Sequence, residues 1–144
     1  MRWITRERIK VDRVACPWLI KKFIDPNADF TFLPHDTDWA AIKDGITYDV
    51  PGCELGHHSE DVSFDSIIKK YNITDPAVLL LAEIVRAADS NPSNPHPAGE
   101  GLRWIAYGFS ALGLSDHEIL SREFVVYDAL YAECQRRTRA SNQE

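Results

Sequence analysis

The pattern of apolar residues changes near residue 50, and this change limits the folds that the chain can adopt. Before it, residues 2–6, 29–33 and 45–50 are short runs of residues that favour extended structure, which predict three strands. After residue 63 the apolar residues recur at helical spacing. The sequence therefore predicts an α+β fold, in which a small β-sheet from the N-terminal third packs with a helix-rich C-terminal half.

Local signals give the bounds of the predicted helices. Proline near a start, a serine or aspartate cap, and basic residues in the last turn are typical of helix ends. On this basis helical segments are predicted at residues 16–24, in a short turn after Thr37, and at residues 64–71, 76–88, 101–112 and about 115–137. The strongly apolar segment 76–88 is expected to lie in the core.

The size of the chain suits one compact domain. It has 144 residues, of which 44% are apolar, enough for one sizeable core and too few for two ordinary domains. We assign the domain to residues 3–137 and predict a disordered tail at residues 138–144. No run approaches the roughly 18 consecutive apolar residues that a membrane span needs, so no membrane partner is predicted.

Charge and cysteine content bear on nucleic-acid binding and on the cellular compartment of the protein. The formal net charge of −6 opposes strong binding to a phosphate backbone, so no direct nucleic-acid binding is expected. Cys16, Cys53 and Cys134 are an odd number at unrelated spacing, which fits neither a disulfide framework nor a zinc knuckle. With no signal-peptide core at the N-terminus, these features predict a cytoplasmic protein with reduced thiols.

The segment 51–58 concentrates groups that bind metals. It contains Glu54, His57 and His58 together with two glycines, which let the backbone bring side chains close together. Imidazole and carboxylate suit a first-row transition metal such as Fe, Mn or Zn. We predict these three residues as metal ligands, joined by His117 from the first turn of the last helix. The alternative is a polar surface loop whose histidines hydrogen-bond backbone groups.

Charged residues of the apolar helix are predicted to support this site. Glu83, Arg86 and Asp89 recur at a spacing of three residues, and both acids are further candidate ligands. Arg86 can instead bridge the two carboxylates as a purely structural ion pair. We favour the structural interpretation for Glu83 and Arg86.

The last helix carries a second set of polar residues. His117 and Asp128 share one face with Tyr127, and this stripe is interpreted as packing rather than catalysis. A buried tyrosine or aspartate needs a hydrogen-bond partner, because an unsatisfied polar group is costly. Arg13 is the predicted partner of Asp128.

Cys16 has two interpretations. It follows Arg13 and lies at a predicted helix start, and a guanidinium and a helix N-terminus both lower the pKa of a thiol, which would make Cys16 redox-active. The alternative is that Cys16 is a small buried apolar residue.

Four segments together resemble one known family. They are Asp12-Arg13-Val14-Ala15-Cys16-Pro17-Trp18-Leu19-Ile20, Glu54-Leu55-Gly56-His57-His58, Ser63-Phe64-Asp65 and Val126-Tyr127-Asp128-Ala129-Leu130-Tyr131-Ala132. The chain resembles the C-terminal domain of the chromate-resistance protein ChrB family over residues 3–134. The spread of the agreement makes the resemblance specific for the domain, whereas a shared fold does not by itself establish chemistry.

The resemblance implies a role in chromate resistance. Longer members of the family act as chromate-responsive regulators, and similar domains occur beside rhodanese-like sulfurtransferase modules, so a regulatory or sulfurtransferase protein is a predicted partner. Chromate is a tetrahedral dianion, for which Lys10, Arg13 and the helix start near Cys16 would supply charge and hydrogen-bond donors. A nearby thiol would be placed to reduce it.

These observations leave three functional hypotheses. The first is a chromate-resistance-associated domain that binds a small inorganic ion, either a metal or an oxyanion, in sensing or detoxification. The second is a small metalloenzyme or redox enzyme that uses a transition metal bound by glutamate and histidine. The third is an interaction module whose histidines are structural. The sequence leaves open whether the protein is an enzyme.

Overall fold

The computed structural model describes the backbone of residues 1–142 and the side chains of residues 1–140. Within these residues it confirms the α+β fold, with a small parallel sheet in the N-terminal part and helices that are mostly C-terminal. The strands are β1 (Arg2–Arg6), β2 (Asp29–Leu33) and β3 (Ile46–Thr47). The helices are α1 (Asp12–Phe23), α2 (Ser63–Lys70), α3 (Pro76–Asp89), α4 (Ala98–Ala111) and α5 (Asp116–Asn142), with a 3-10 turn at Trp39–Ala41.

Strand β1 lies at the centre of the sheet, between β2 and β3. Trp3 pairs with Phe30 on one side and with Ile46 on the other, and both pairings are parallel. Parallel strands need a crossover connection, which α1 supplies between β1 and β2. Because the carboxyl ends of parallel strands lie at one edge, the segments that follow β1 and β3 meet there.

Helix α1 begins at Asp12, four residues before the predicted start at Cys16. Pro17 therefore lies inside the helix rather than near its first turn. Proline has no N–H to donate, so the carbonyl of Arg13 lacks its usual partner one turn later. The helix start is set by the contacts of the Asp12 carboxylate, and not by the proline on which the sequence prediction depended.

Other bounds also differ from those predicted. Strand β3 is limited to Ile46–Thr47 instead of residues 45–50, because Asp49 has a φ of 49° that ends the extended run. Helix α4 starts at Ala98, three residues before the predicted start. Helix α5 continues to Asn142, where the sequence predicted a disordered tail from residue 138; residues 143–144 lie outside the described residues.

Helix α3 lies in the core, as its apolar sequence predicts. Val78, Leu81 and Val85 are fully buried. Helix α4 approaches it closely at Gly99, where an added Cβ would lie 2.4 Å from the Cβ of Ala87, so a larger residue there would push the helices apart.

The carboxyl end of α3 is held by an arginine of α4. The guanidinium of Arg103 donates to the carbonyl of Ala88 at 2.9 Å and to that of Ala87 at 2.8 Å. These bonds satisfy carbonyls that the end of a helix leaves without partners. They fix the turn of α3 that carries Asp89.

Aromatic packing joins α1 to α5. The ring of Trp18 lies with its centroid 5.3 Å from that of Tyr131 and 6.3 Å from that of Tyr127. Such tilted pairs add to the hydrophobic stabilisation of a core.

Among the described residues, no helix combines the length and the apolar character that crossing a bilayer requires.

One acidic residue of α5 is buried in this core. Glu123 is 1% exposed, and within the side chains of residues 1–140 neither of its carboxylate oxygens has a hydrogen-bond partner. Burial raises its pKa to about 7, because the charged form is poorly solvated there. An unfolded glutamate has a pKa of about 4.3, so folding takes up a proton between these values. The contribution of Glu123 to stability therefore becomes less favourable as the pH rises through this range.

We predict that Glu123→Met stabilises the protein in a pH-dependent way. The gain in free energy of unfolding over the wild type should grow by up to about 3 kcal/mol between pH 4.5 and pH 8, because the variant removes the cost of ionising a buried carboxyl. Urea unfolding of both proteins at several pH values measures this difference. A gain that does not change with pH would contradict the assignment.

Candidate metal centre

Three carboxylates converge on one imidazole nitrogen at the carboxyl edge of the sheet. Nε2 of His57 lies 3.3 Å from Oδ2 of Asp12, 3.3 Å from Oδ1 of Asp49 and 3.2 Å from Oδ2 of Asp89. Asp12 is the first residue of α1, Asp49 follows β3, and Asp89 is the last residue of α3. His57 lies in the loop between β3 and α2. Three parts of the chain therefore build the cluster: the start of α1, the loop after β3 and the end of α3.

The cluster has a buried floor and an exposed side. The side chain of Asp12 is 1% exposed and that of Asp49 is 7% exposed, whereas the imidazole of His57 is 48% exposed. Asp12 and Asp49 are thus withdrawn from water, whereas Asp89 is 20% exposed and the histidine remains within reach of water. Ligand atoms of Asp12, His57 and Asp89 all lie within 4.8 Å of one another, a spacing that one metal ion can bridge.

The start of α2 fixes two of the carboxylates. Oδ2 of Asp12 accepts a hydrogen bond from the backbone N–H of Ser63 at 2.7 Å, and Oδ1 accepts one from the N–H of Phe64 at 3.2 Å. The first N–H groups of a helix have no internal partners and favour a negative charge. The hydroxyl of Ser63 donates to Oδ1 of Asp49 at 2.8 Å, and Nε of Arg13 lies 3.5 Å from its Oδ2.

The three carboxylates change the protonation of His57. Hydrogen bonds to Asp12, Asp49 and Asp89, in this order of size, raise the pKa of His57 to about 12. The pKa of Asp12 is also raised, chiefly by burial and against the effect of His57. Without an ion, the folded protein keeps a proton on Nε2, and this single proton faces three acceptors.

The sequence-predicted metal ligands are only partly brought together. His57 is in the cluster, and so is Asp89, which was predicted as a supporting residue. The carboxylate of Glu54 instead pairs with Lys70 at 2.9 Å, and Nε2 of His58 contacts the backbone carbonyl of Glu54 at 2.8 Å. These two side chains share the loop with His57 but point to other partners.

His117 lies against the sheet instead of at the cluster. Its ring packs edge-on against Phe32 of β2, with the centroids 5.0 Å apart. The predicted position in the first turn of α5 is confirmed, but Asp116 beside it binds the backbone N–H groups of Arg8 and Ile9. The start of α5 thus binds the loop after β1 through these hydrogen bonds.

Lys10, Arg13 and Cys16 face three different groups. Nζ of Lys10 lies 4.8 Å above the ring of Tyr107, and Arg13 pairs with Asp49. Cys16 is fully buried, and burial and the charge of Asp12 raise its pKa well above the usual value. Because α1 begins at Asp12, the thiol lies in the second turn and gains nothing from a helix N-terminus, so it is held as a thiol.

The supporting residues have structural partners. Arg86 binds Asp65 in a two-pronged ion pair of 2.8 and 3.0 Å, in place of the expected bridge between Glu83 and Asp89. Glu83 is exposed on the wall of an adjacent groove.

The polar residues of α5 bind α1. Tyr127 donates its hydroxyl to the carbonyl of Val11 at 3.3 Å. Asp128 accepts from Trp18 and from Lys22, both at 2.9 Å, and not from Arg13 as the sequence predicted. These contacts fix the start and the middle of α1.

Sequence reasoning missed Asp12 and Asp49 as site residues. A usable signal was present, because Asp49 follows the predicted third strand and Asp12 follows the first. Ligand groups in parallel sheets gather beyond the carboxyl ends of the strands. Recognising the sheet as parallel would have placed both acids beside His57.

A cavity of about 420 Å³ opens next to the cluster. Its walls include Arg6, Asp49, Cys53, His57 and His58. Nε of Arg6 is buried and has no hydrogen-bond partner among the described residues. The cavity gives the exposed side of the cluster space for a small ligand.

Comparison with known proteins identifies the family. The family model described as "ChrB, C-terminal domain" matches residues 3–134. The chain belongs to the ChrB C-terminal domain family. Among curated proteins, it is 29% identical over 130 residues to Protein ChrB of Cupriavidus metallidurans, which covers 90% of this chain. The match covers 39% of that ChrB protein, so the chain spans about two fifths of the relative's length. No solved structure matches the chain.

The segments that carry the ChrB resemblance surround the cluster. Asp12, His57 and Ser63 each belong to a different one of these segments, and the structure brings them into contact. The remaining segment supplies Tyr127 and Asp128, which bind α1. These segments of the ChrB-family domain therefore contribute Asp12 and His57 to the candidate metal centre and Ser63, Tyr127 and Asp128 to its support.

The ion pair between Asp65 and Arg86 is expected to stabilise the fold around the candidate site. Asp65 accepts from the backbone N–H of Val62 at 3.1 Å as well as from Arg86. We expect Asp65→Asn to lower the free energy of unfolding by about 2 to 3 kcal/mol, since it leaves a partly buried guanidinium unpaired. Glu83→Gln, on the same groove but exposed, should change it by less than about 0.5 kcal/mol. Urea unfolding compares them, and equal effects would refute the assigned pairing.

Proposed function

We propose that this ChrB-family domain binds one divalent transition-metal ion between Asp12, His57 and Asp89. The observation that carries the proposal is the approach of three carboxylates to within 3.3 Å of a single imidazole nitrogen. One N–H can make a good hydrogen bond to only one of them at a time. A cation at this position would interact with all of the ligands at once.

The ligand set favours particular metals. Two carboxylates and one imidazole suit Mn, Fe or Zn, whereas Mg and Ca prefer oxygen ligands alone. Ligand atoms about 2.1 Å from a metal lie roughly 3 to 3.5 Å apart, which agrees with the observed separations. Asp49, held by Ser63 and Arg13, is placed to support the centre from its inner side.

The family gives this binding a context. ChrB-family membership associates the chain with chromate resistance, and we propose that the metal centre serves that response by sensing or by handling an ion. The cavity beside His57 leaves the centre open to small solutes. Three protein ligands would leave coordination positions free, which a metalloenzyme also requires, and turnover would distinguish this second hypothesis from sensing.

Metal binding is tested by a comparison of the two adjacent histidines. The wild type should bind about one equivalent of Mn²⁺, Fe²⁺ or Zn²⁺ in isothermal titration calorimetry of the metal-free protein. His57→Gln should weaken the affinity by at least about 100-fold, since loss of an outer contact alone costs about 10- to 100-fold. His58→Gln should leave the affinity unchanged, because its ring binds a backbone carbonyl.

A second pair of variants controls for the local charge. Asp89→Asn should weaken binding as strongly as His57→Gln, whereas Glu54→Gln removes an acid from the same loop without effect. Binding that depends on His58 and Glu54 would support the ligand set predicted from the sequence and overturn the one proposed here. A wild type that binds none of the three metals would overturn the metal proposal itself.

An oxyanion in the adjacent cavity is the second candidate function, and one observation favours it. Nε of Arg6 is buried in the wall that also contains His57, and it has no hydrogen-bond partner in the part of the chain that the structure describes. A guanidinium binds tetrahedral oxyanions through several N–H groups, and leaving one unpaired is costly. Burial lowers the pKa of Arg13, and the positive charge of Arg6 lowers it further.

Equilibrium dialysis with chromate, and with sulfate as a tetrahedral competitor, tests this candidate. Arg6→Gln should reduce the affinity for chromate by about tenfold or more, because a charge-assisted hydrogen bond contributes about 1.5 to 3 kcal/mol. Lys10→Gln should have no effect, since Nζ of Lys10 lies over Tyr107. Equal losses in both variants would show that binding follows the net charge and would contradict a site at Arg6.

A further inference from the structure

The outer side of α4 exposes large apolar residues. Trp104 is 74% exposed, Tyr107 54%, Ile105 42% and Leu112 63%. Single exposed apolar residues are common on proteins, but contiguous patches mark interaction surfaces. These four come from one helix and the residue that ends it, so they form one patch.

Helical spacing places them on a single face. The opposite side of α4 packs into the molecule through Gly99, Leu102 and Ala106, which are buried. The outer α4 face consists of Gly101, Trp104, Ile105, Tyr107, Gly108 and Leu112, which recur at intervals of about three and four residues. At Gly101 and Gly108 an added Cβ would meet no atom within 4 Å, so the face has two open shallow positions.

We propose that the outer α4 face binds the same face of a second copy of this chain. The four large side chains expose roughly 500 Å² per copy, since an aromatic side chain offers about 150–250 Å². Two copies would then bury up to roughly 1,000 Å², which is the lower limit for a specific interface. The interface is independent of the metal centre and does not depend on the proposed function.

The distribution of large and small residues favours self-association. In a two-fold pair of antiparallel helices centred near Ala106, Trp104 of each copy lies opposite Gly108 of the other. A bulky ring then fills a position without a side chain, and the contact occurs twice by symmetry. Antiparallel pairing also places the N-terminal end of each helix beside the C-terminal end of its partner, which suits their dipoles.

The charges fit an interface of this kind. The residues of the outer α4 face are themselves uncharged; Glu100, one turn before Trp104, pairs with Arg103 at 3.0 Å, and Nζ of Lys10 lies 4.8 Å above the ring of Tyr107. Nε1 of Trp104 donates to Glu100, which satisfies the polar atom of the ring before it is covered. An apolar centre with a polar border is the usual composition of protein interfaces.

Analytical ultracentrifugation of the full chain over a range of concentrations tests the proposal. The wild type should sediment at twice the monomer mass of 16.4 kDa at about 50 µM, since association depends on concentration. Trp104→Glu should be monomeric with an unchanged circular dichroism spectrum. Val125→Glu, a matched change at a residue of α5 that is 66% exposed, should remain dimeric. A monomeric wild type, or a dimer that survives Trp104→Glu, would overturn the proposal.

Gly108→Ala provides a second measurement that does not threaten folding. Alanine is a better helix former than glycine, and space is free around this position in the single chain. The variant should therefore fold at least as well as the wild type, yet its dimer dissociation constant should rise by about tenfold because the methyl group meets Trp104 of the partner. An unchanged dissociation constant would contradict the antiparallel packing.

Discussion

The contact between the Asp12 carboxylate and the first turn of α2 organises this structure. It is a charge-assisted interaction with two otherwise unpartnered N–H groups, those of Ser63 and Phe64, in a buried place where water cannot replace it. It fixes the start of α1 against the start of α2. Because His57 lies just before α2 in the chain, the same contact determines where the imidazole meets the carboxylates.

The other two acids of the cluster, Asp49 and Asp89, reach the same place through their own supports. Asp49 is held by Ser63 and Arg13 at the end of β3, while Asp89 depends on the end of α3, which Arg103 ties to α4. Each acid thus ends or begins an element that is packed independently. The cluster is a product of the tertiary fold, and the repulsion among its carboxylates is balanced by helix N–H groups, by a guanidinium and by the protonated imidazole.

The strands at residues 2–6 and 29–33 could be predicted because their signals are local. The central position of α3 followed from its composition. Pro17 misled the prediction for α1, since tertiary contacts of Asp12 outweigh its preference for a helix start. His57 and Asp89 were recognised from their residue types, but Asp12 and Asp49 were not, because their meeting depends on a parallel topology. The partners predicted for Arg86 were wrong for a related reason. Only neighbours on the same helix were considered, whereas the observed partner is the buried Asp65 of α2.

The unequal exposure of the ligands determines how the centre would exchange its ion. The proposed oxygen ligands, Asp12 and Asp89, lie at the ends of packed helices, whereas the proposed nitrogen ligand, His57, is half exposed on a loop that contains two glycines. Such a centre keeps its acidic floor in place whether or not an ion is present, and only the loop must move to admit or release one. Its residence time would therefore follow the motion of one short segment, which favours rapid equilibration with the surrounding ion concentration over permanent retention.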